Sequence, residues 1–276
     1  MGGIMFSLIT LYLSPVIGFP WTMRIIGFIS LACCTVACLT LQTRPAIMSH
    51  RPTPNKSDTK PSLPTILLYA IDLRLLAHDP SYLTTTVAIT IIEFAVFLPI
   101  TYLSSAALAS GLPAQTSYRL IALLNVGSVP GRALPNYLSD HLGRFNVMIT
   151  TAVACTLLIF CLWLPPTALD VTSEAALTVF AVLFGFWSGA AISLTPVCVA
   201  QVSEVGEVGR RVGTTFSIAS FGALVGVPIG GAIVDATPGG GYLWLVVFSG
   251  GCYVLAAGAF GVARWVAGPK RVWAAF

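Results

Sequence analysis

Runs of about twenty apolar residues, separated by short stretches rich in Gly, Pro, Ser and charged residues, recur along the whole chain. As a helix rising 1.5 Å per residue, such a run crosses the hydrocarbon of a bilayer. The runs fall at roughly Ile4 to Ile17, Ile25 to Leu41, Ser81 to Leu103, Ser117 to Leu138, Phe145 to Leu164, Ala175 to Val197, Val212 to Val234 and Tyr242 to Ala263. The first is short for a crossing and has Pro15 near its end, so it reads as a stub, an interfacial piece or a truncated helix. Period-2 alternation is absent, and a lone strand in lipid would leave its N–H and C=O groups unsatisfied at several kcal/mol each. The pattern predicts an all-α fold, a polytopic bundle of transmembrane helices.

One long polar interruption, Arg44 to Pro64, is rich in Pro, Ser, Thr, Asn, Lys and Asp and reads as a solvated linker. The following stretch, Thr65 to His78, suits a short amphipathic piece on the membrane surface before Asp79 and Pro80 open the next span. Met1 to Phe19 lacks a basic leader and a small-residue cleavage pattern, so it reads as a retained membrane segment and not as a signal peptide.

Composition sharpens this reading. The chain is 56% hydrophobic and 9% charged, which excludes an ordinary water-soluble domain and makes lipid the solvent. With a net charge of +4 and scattered basic residues, nucleic-acid binding has no support. All seven cysteines lie in apolar segments without CxxC or Cys/His spacing, so they read as reduced packing residues. No metal and no cofactor are implied.

Charge also orients the chain. Arg44, Arg51, Lys56, Lys60 and Arg74 cluster around the long loop, and Arg144, Arg210, Arg211, Arg264, Lys270 and Arg271 lie in later connections of the same side. The opposite connections carry no Lys or Arg, which places the long loop and the C-terminus in the cytoplasm.

Three spans carry glycines four apart: Gly127 and Gly131; Gly185 and Gly189; Gly222, Gly226 and Gly230. Stacked on one helix face, they let backbones approach closely, as tight packing or as a moving gate surface. Pro99, Pro130, Pro196 and Pro228 fall within or at the ends of spans, where proline bends helices in cavities and in static bundles alike.

The richest stretch is Asn125 to Arg144, NVGSVPGRALPNYLSDHLGR. Arg132 lies about 10 Å of helix rise from the end near Ser139, deep enough that its guanidinium must snorkel or meet an anion inside. It reads as a carboxylate ligand or as a structural arginine on helix-end carbonyls or a neighbouring acid. Asp140 and Arg144, four residues apart beside Gly143, read as a latch between helix ends or as an inert ion pair. Glu204, Glu207, Arg210 and Arg211 form a further group in the next turn on this side, either solvated or assisting a gate.

This stretch resembles the cytoplasmic signature of the major facilitator superfamily, Gly-x-x-x-Asp-x-x-Gly-Arg, with Asn136 where the first Gly is usual and Asp140, Gly143 and Arg144 in place. GGIMF, GFPWTMRIIGFISL, NVGSVPGRALPNYLSDHLGRFNVMI, LFGFWSGAAISLTPVCVAQVS and GVPIGGAI are similar to the fungal monocarboxylate-transporter-like branch of that superfamily. The resemblance implies twelve helices in two six-helix halves, of which this chain would begin within the fifth and lack helices one to four. Residues 1–43 would then be the last two helices of an incomplete N-terminal bundle, 44–80 the cytoplasmic central loop, 81–265 the six-helix C-terminal bundle and 266–276 a cytoplasmic tail.

It further implies that Arg132 meets the substrate carboxylate. Ser128 stands where proton-coupled animal members have an Asp. Glu93, about midway along its span, is then a candidate proton carrier, or a neutral Glu bonded to a neighbouring helix. Asn125, Ser128 and Glu93 accompany Arg132 as candidate cavity residues, with Asp140, Gly143, Arg144, Glu204, Glu207, Arg210 and Arg211 as candidate gating residues.

The function expected is secondary transport of a small organic anion of the monocarboxylate type by alternating access, as symport if a proton accompanies it. The alternative is a nontransporting fragment or partner subunit, which needs a complementary half or a second copy. Membrane lipid is the other expected partner. An intramembrane enzyme is not supported: His50, His78 and His141 lie outside the spans, and no HExxH or Gly-x-Ser-x-Gly occurs.

Overall fold

Nearly every described residue of the computed structural model is helical, and no strand occurs among the residues described, which are 17–40, 79–169, 173–204, 206–237 and 241–268 with positions 9, 13 and 76. The expected segment Ile4 to Ile17, the linker Arg44 to Pro64 and the amphipathic piece Thr65 to His78 lie outside the described residues except at isolated positions. The chain divides into two units, residues 1–60 and 61–276, and each is taken by itself.

The first unit contributes α1, Phe19–Thr40. Gly18, at a φ of +80° that disfavours a side chain, turns the chain into it, and the Thr22 hydroxyl donates to the Gly18 carbonyl at 3.0 Å. The helix is apolar on all sides and almost wholly exposed, as expected of a helix surrounded by lipid. At its start Arg24 lies 4.8 Å from the Trp21 ring centroid, an aromatic and cation pair of the kind found at a bilayer interface.

The described residues of the second unit form a bundle of six helices. Its elements are α2 (Pro80–Ala109), α3 (Ala114–Leu142), α4 (Arg144–Ala168), α5 (Glu174–Gln201), α6 (Val208–Ala236) and α7 (Leu243–Ala267). Each corresponds to one apolar run of the sequence. α2 outlasts its expected end at Leu103 because Ser104 to Ala109 are small helix-compatible residues, and it stops where Gly111 takes a φ of +89° before Pro113. α4 contains a π-helical turn, Ile159–Trp163, just before Pro165 and Pro166. The prolines have no N–H for the carbonyls four residues back, and the ladder widens so that Leu164 N–H reaches the Ile159 carbonyl.

Among the described residues, six helices, α1, α2, α4, α5, α6 and α7, are long and apolar enough to cross a membrane. α3 has the length, 29 residues, but less hydropathy, because it carries Gln115, Arg119, Asn125, Arg132, Asn136 and Asp140. Its place in the bundle comes from glycine. A Cβ at Gly127 would run into the Val182 carbonyl oxygen of α5, one at Gly131 into that of Phe186, and one at Gly185 into that of Leu124 on α3. The two backbones are therefore in direct contact, the close approach that van der Waals packing in lipid rewards. The third stripe faces α2: Gly222 meets Thr90, Gly226 meets Phe94, and Gly230 meets Leu98 and Tyr102.

The interior is aromatic where α4, α5 and α7 meet. Trp163, Phe180, Phe184 and Tyr253 form a chain with ring centroids 5.3, 5.2 and 6.0 Å apart. Each such pair adds about 0.5–1.5 kcal/mol beyond its buried area. Cys155, Cys198 and Cys252 are buried packing residues, but Cys33, Cys34, Cys38 and Cys161 are exposed, so the expected packing role holds for only three of the seven.

Candidate functional site

At 100° per residue, Asn125, Ser128, Arg132 and Asn136 share one face of α3, beside the glycine face that seats the helix on α5. Polar side chains on this stripe satisfy themselves locally. Asn125 Nδ2 donates to the Ile121 carbonyl at 2.9 Å, Ser128 Oγ to the Asn125 carbonyl at 2.8 Å, and Asn136 Nδ2 to the Arg132 carbonyl at 2.6 Å. Asn136 Oδ1 is enclosed without a donor among the described residues.

Arg132 differs from these neighbours. Its residue is exposed, and among the described residues no hydrogen bond or ion pair engages its guanidinium. Since α3 continues to Leu142, Arg132 lies about 15 Å of helix rise from the end, deeper than the expectation measured from Ser139. A planar cation with five unengaged donors at that depth is suited to a carboxylate.

Glu93 lies elsewhere. It is 8% exposed on α2, and its Oε1 accepts from the Thr195 hydroxyl of α5 at 3.3 Å. Thr195 occupies a different face of α5 from Gly185 and Gly189, the glycines against α3. The structure thus brings Asn125, Ser128 and Arg132 together and sets Glu93 apart, in the bundle interior.

The group expected in the turn before α6 resolves into a clamp. Arg211 Nη1 donates to Asp79 Oδ2 at 2.7 Å and to the Val202 carbonyl at 2.9 Å, and Nε donates to Glu207 Oε2 at 3.2 Å. Its guanidinium carbon lies 5.0 Å from the Tyr82 ring centroid. Glu207 also accepts from Arg210 Nη2 at 2.7 Å. Behind the charges, the Thr215 hydroxyl donates to Tyr82 Oη at 3.2 Å, and Tyr82 Oη donates to the Arg211 carbonyl at 2.9 Å. The side chain of Arg211 is only 9% exposed, so a solvated charge group does not describe it.

Asp79 and Glu207 occupy the N-cap positions of α2 and α6, where the positive ends of the helix dipoles favour carboxylates, and Arg211 stands between them. Burial raises the Asp79 pKa, but the hydrogen bond from Arg211, the backbone N–H groups of Tyr82 and Ser81, and the Arg211 charge together outweigh it, holding the carboxyl below its ordinary range.

The remaining candidates are looser. Arg144 Nη2 is 4.0 Å from Asp140 Oδ1, and the Asp140 side chain is 65% exposed. Gly143 joins α3 to α4 as a single residue with a φ of +88°, a conformation that favours glycine. Glu204 is exposed and contributes its carbonyl oxygen to the Glu207 N–H.

Asp79, Tyr82, Thr195 and Thr215 escaped the sequence reading as site residues. Only Asp79 carried a signal, as the acid before Pro80, and that signal announces a helix start and nothing about a distant arginine. No group of three or more His, Cys, Asp or Glu among the described residues is placed to hold a metal ion.

The family model of the Major Facilitator Superfamily matches residues 1–173. An MFS-type transporter of Penicillium oxalicum is 36% identical over 263 residues, which are 95% of this chain and 56% of the relative. An MFS transporter of Aspergillus flavus is 36% identical over 250 residues, 91% of this chain and 52% of the relative. A riboflavin transporter of Saccharomyces cerevisiae is 32% identical over 259 residues, 91% of this chain and 49% of the relative. The chain spans about half the length of these curated relatives.

Proposed function

Because the chain belongs to the major facilitator superfamily, we propose that it acts in secondary transport of small organic anions of the monocarboxylate type, by alternating access. It is an integral, multi-pass membrane protein, with six helices among the described residues apolar enough to cross a bilayer. The observation that carries the anion reading is Arg132: a guanidinium deep along α3, exposed and unengaged, on one face with Asn125 and Ser128. Lipid does not solvate such a face, so water and solute are its natural company.

In this reading Arg132 takes the carboxylate in a two-pronged grip, and Asn125 and Ser128 exchange their carbonyl bonds on α3 for bonds to the solute. The Asp140 and Arg144 pair, held loosely on either side of Gly143, makes and breaks as α3 and α4 shift. The clamp of Arg211, Asp79 and Glu207, with Arg210 beside it, keeps the starts of α2 and α6 together during that motion. Clustering of Lys and Arg around the long loop and the C-terminus supports a cytoplasmic position for both.

The test is uptake of a labelled monocarboxylate panel, with riboflavin added because one relative is named for it. The purified chain is reconstituted in liposomes, alone and with a separately supplied N-terminal half. Uptake that Arg132→Ala removes supports the reading; uptake untouched by that change contradicts it. Uptake only with the added half favours a partner-subunit role.

A further inference from the structure

We propose that residues 227–231 of α6 form a hinge, held closed by the Tyr102 hydroxyl of α2. The part of α6 beyond Pro228 swings on it, while the part beside Arg211 stays fixed. The inference goes beyond the anion reading and does not depend on Arg132.

The order of residues in this turn, Val227, Pro228, Ile229, Gly230, Gly231, removes what stiffens a helix. Pro228 lies inside α6 and has no N–H for the Leu224 carbonyl one turn back. Two glycines follow it, and small-residue pairs join proline among the few causes of a sharp helix bend. Tyr102 supplies a third cause. Its Oη donates to the Val227 carbonyl at 2.6 Å, the carbonyl that serves the Gly231 N–H in an unbroken α-helix. The same oxygen stands 3.1 Å from where a Cβ on Gly231 would be, so the hydroxyl rests against both residues that close this rung. A side chain seated on the ladder in this way marks a place where a helix bends.

Packing leaves room for the motion. On the α2 side the fit depends on glycine: a Cβ at Gly230 would stand 2.7 Å from Tyr102 Cε2 and 2.9 Å from Leu98 Cδ2. On the outer side Leu224, Val225 and Ile229 are exposed, so no described residue of the bundle covers α6 there.

The other end of α6 is fastened by stronger chemistry. From Arg211 to Pro228 the helix rises about 25 Å. At the near end Arg211 bridges Asp79 and Glu207, and the Thr215 hydroxyl lies 3.2 Å from both Thr86 Oγ1 and Tyr82 Oη. Charge-assisted bonds hold that end, whereas one neutral hydroxyl holds the hinge, so the part beyond Pro228 is the one that yields. A bundle that opens at one end at a time needs such an asymmetry.

Hydrogen–deuterium exchange, read by mass spectrometry on the purified chain in lipid nanodiscs, tests the hinge without a transport assay. Tyr102→Phe keeps the ring on Gly230 and removes the latch. It should raise exchange of the amides from Ile229 to Val234 by about tenfold, the weight of one such hydrogen bond, and leave those from Phe216 to Phe221 unchanged. Pro228→Ala gives the Leu224 carbonyl its donor back. Alone it should slow the Ile229 to Val234 amides by about threefold, and combined with Tyr102→Phe it should cancel most of the rise. No rise in Tyr102→Phe, a rise shared equally by Phe216 to Phe221, or a rise that Pro228→Ala leaves intact overturns the proposal. Should Tyr102→Phe fail to fold, Pro228→Ala decides alone: slower exchange confined to the segment after residue 228 supports the hinge, and unchanged or faster exchange overturns it. Because no arm uses uptake, failure of the anion reading and failure of this one are separable.

Discussion

Arg211 and Arg132 belong to one bundle and meet opposite fates. Arg211 is buried, with two carboxylates, a carbonyl and an aromatic ring around its guanidinium. Arg132 is exposed, and its side chain has no partner among the described residues. Both charges are costly near lipid. The first is compensated within the fold and so acts as structure; the second is left for something that arrives, which is what a binding site requires.

The largest consequence concerns transport. Arg132→Ala should reduce anion uptake to background, while Arg132→Lys, which keeps the charge and loses the planar fork, leaves a remnant. Neither change should move the stability of the detergent-solubilised protein by more than about 0.5 kcal/mol, because an exposed side chain without partners is lost. Arg211→Ala should reverse that pattern. It removes the guanidinium between Asp79 and Glu207, leaving Glu207 on Arg210 and Asp79 on the N–H groups of Ser81 and Tyr82, and should lower stability by about 2 kcal/mol, read by thermal or denaturant unfolding.

Gly131 sharpens the contrast at the residue next to Arg132. Gly131→Val drives a side chain into the Phe186 carbonyl and should cost about 3 kcal/mol in the same unfolding assay. Gly258→Ala, where nothing lies within 4 Å of the added carbon, should be neutral or slightly stabilising.

Acid probes the clamp more gently. The Asp79 carboxyl is held below its ordinary value of 3.8, so its contribution is complete above that value and drains away as the pH falls through the lower, folded one. Asp79→Asn should abolish this part of the acid-side loss of stability. The smallest effect belongs to Asp140→Asn: at 4.0 Å and largely exposed, the pair with Arg144 contributes about 0–1 kcal/mol, so unfolding should barely register its loss.

Much of this architecture was legible in the amino-acid order because lipid imposes a simple rule: apolar runs of crossing length become helices. Gly143, followed at once by Arg144, marked the joint between α3 and α4, and glycines four apart marked faces of close backbone approach, while the pairing of α3 with α5 came only from the structure. Arg132 was legible as a charge out of place. The clamp was not, because Asp79 and Arg211 are 132 positions apart and meet only when α2 and α6 pack. Neither was the isolation of Glu93, since the face of a uniformly apolar helix that turns inward is decided by its neighbours and not by its own pattern.

Thiol labelling at position 128, one turn from Arg132 on the same face, tests the central claim most directly. Ser128→Cys is placed in a background with the seven native cysteines replaced and treated with a membrane-impermeant maleimide from each side of sealed liposomes. If this face opens alternately around a bound anion, the reagent reaches it from either side and a transported monocarboxylate protects it. Labelling from one side only, unchanged by any anion of the panel, would contradict the account.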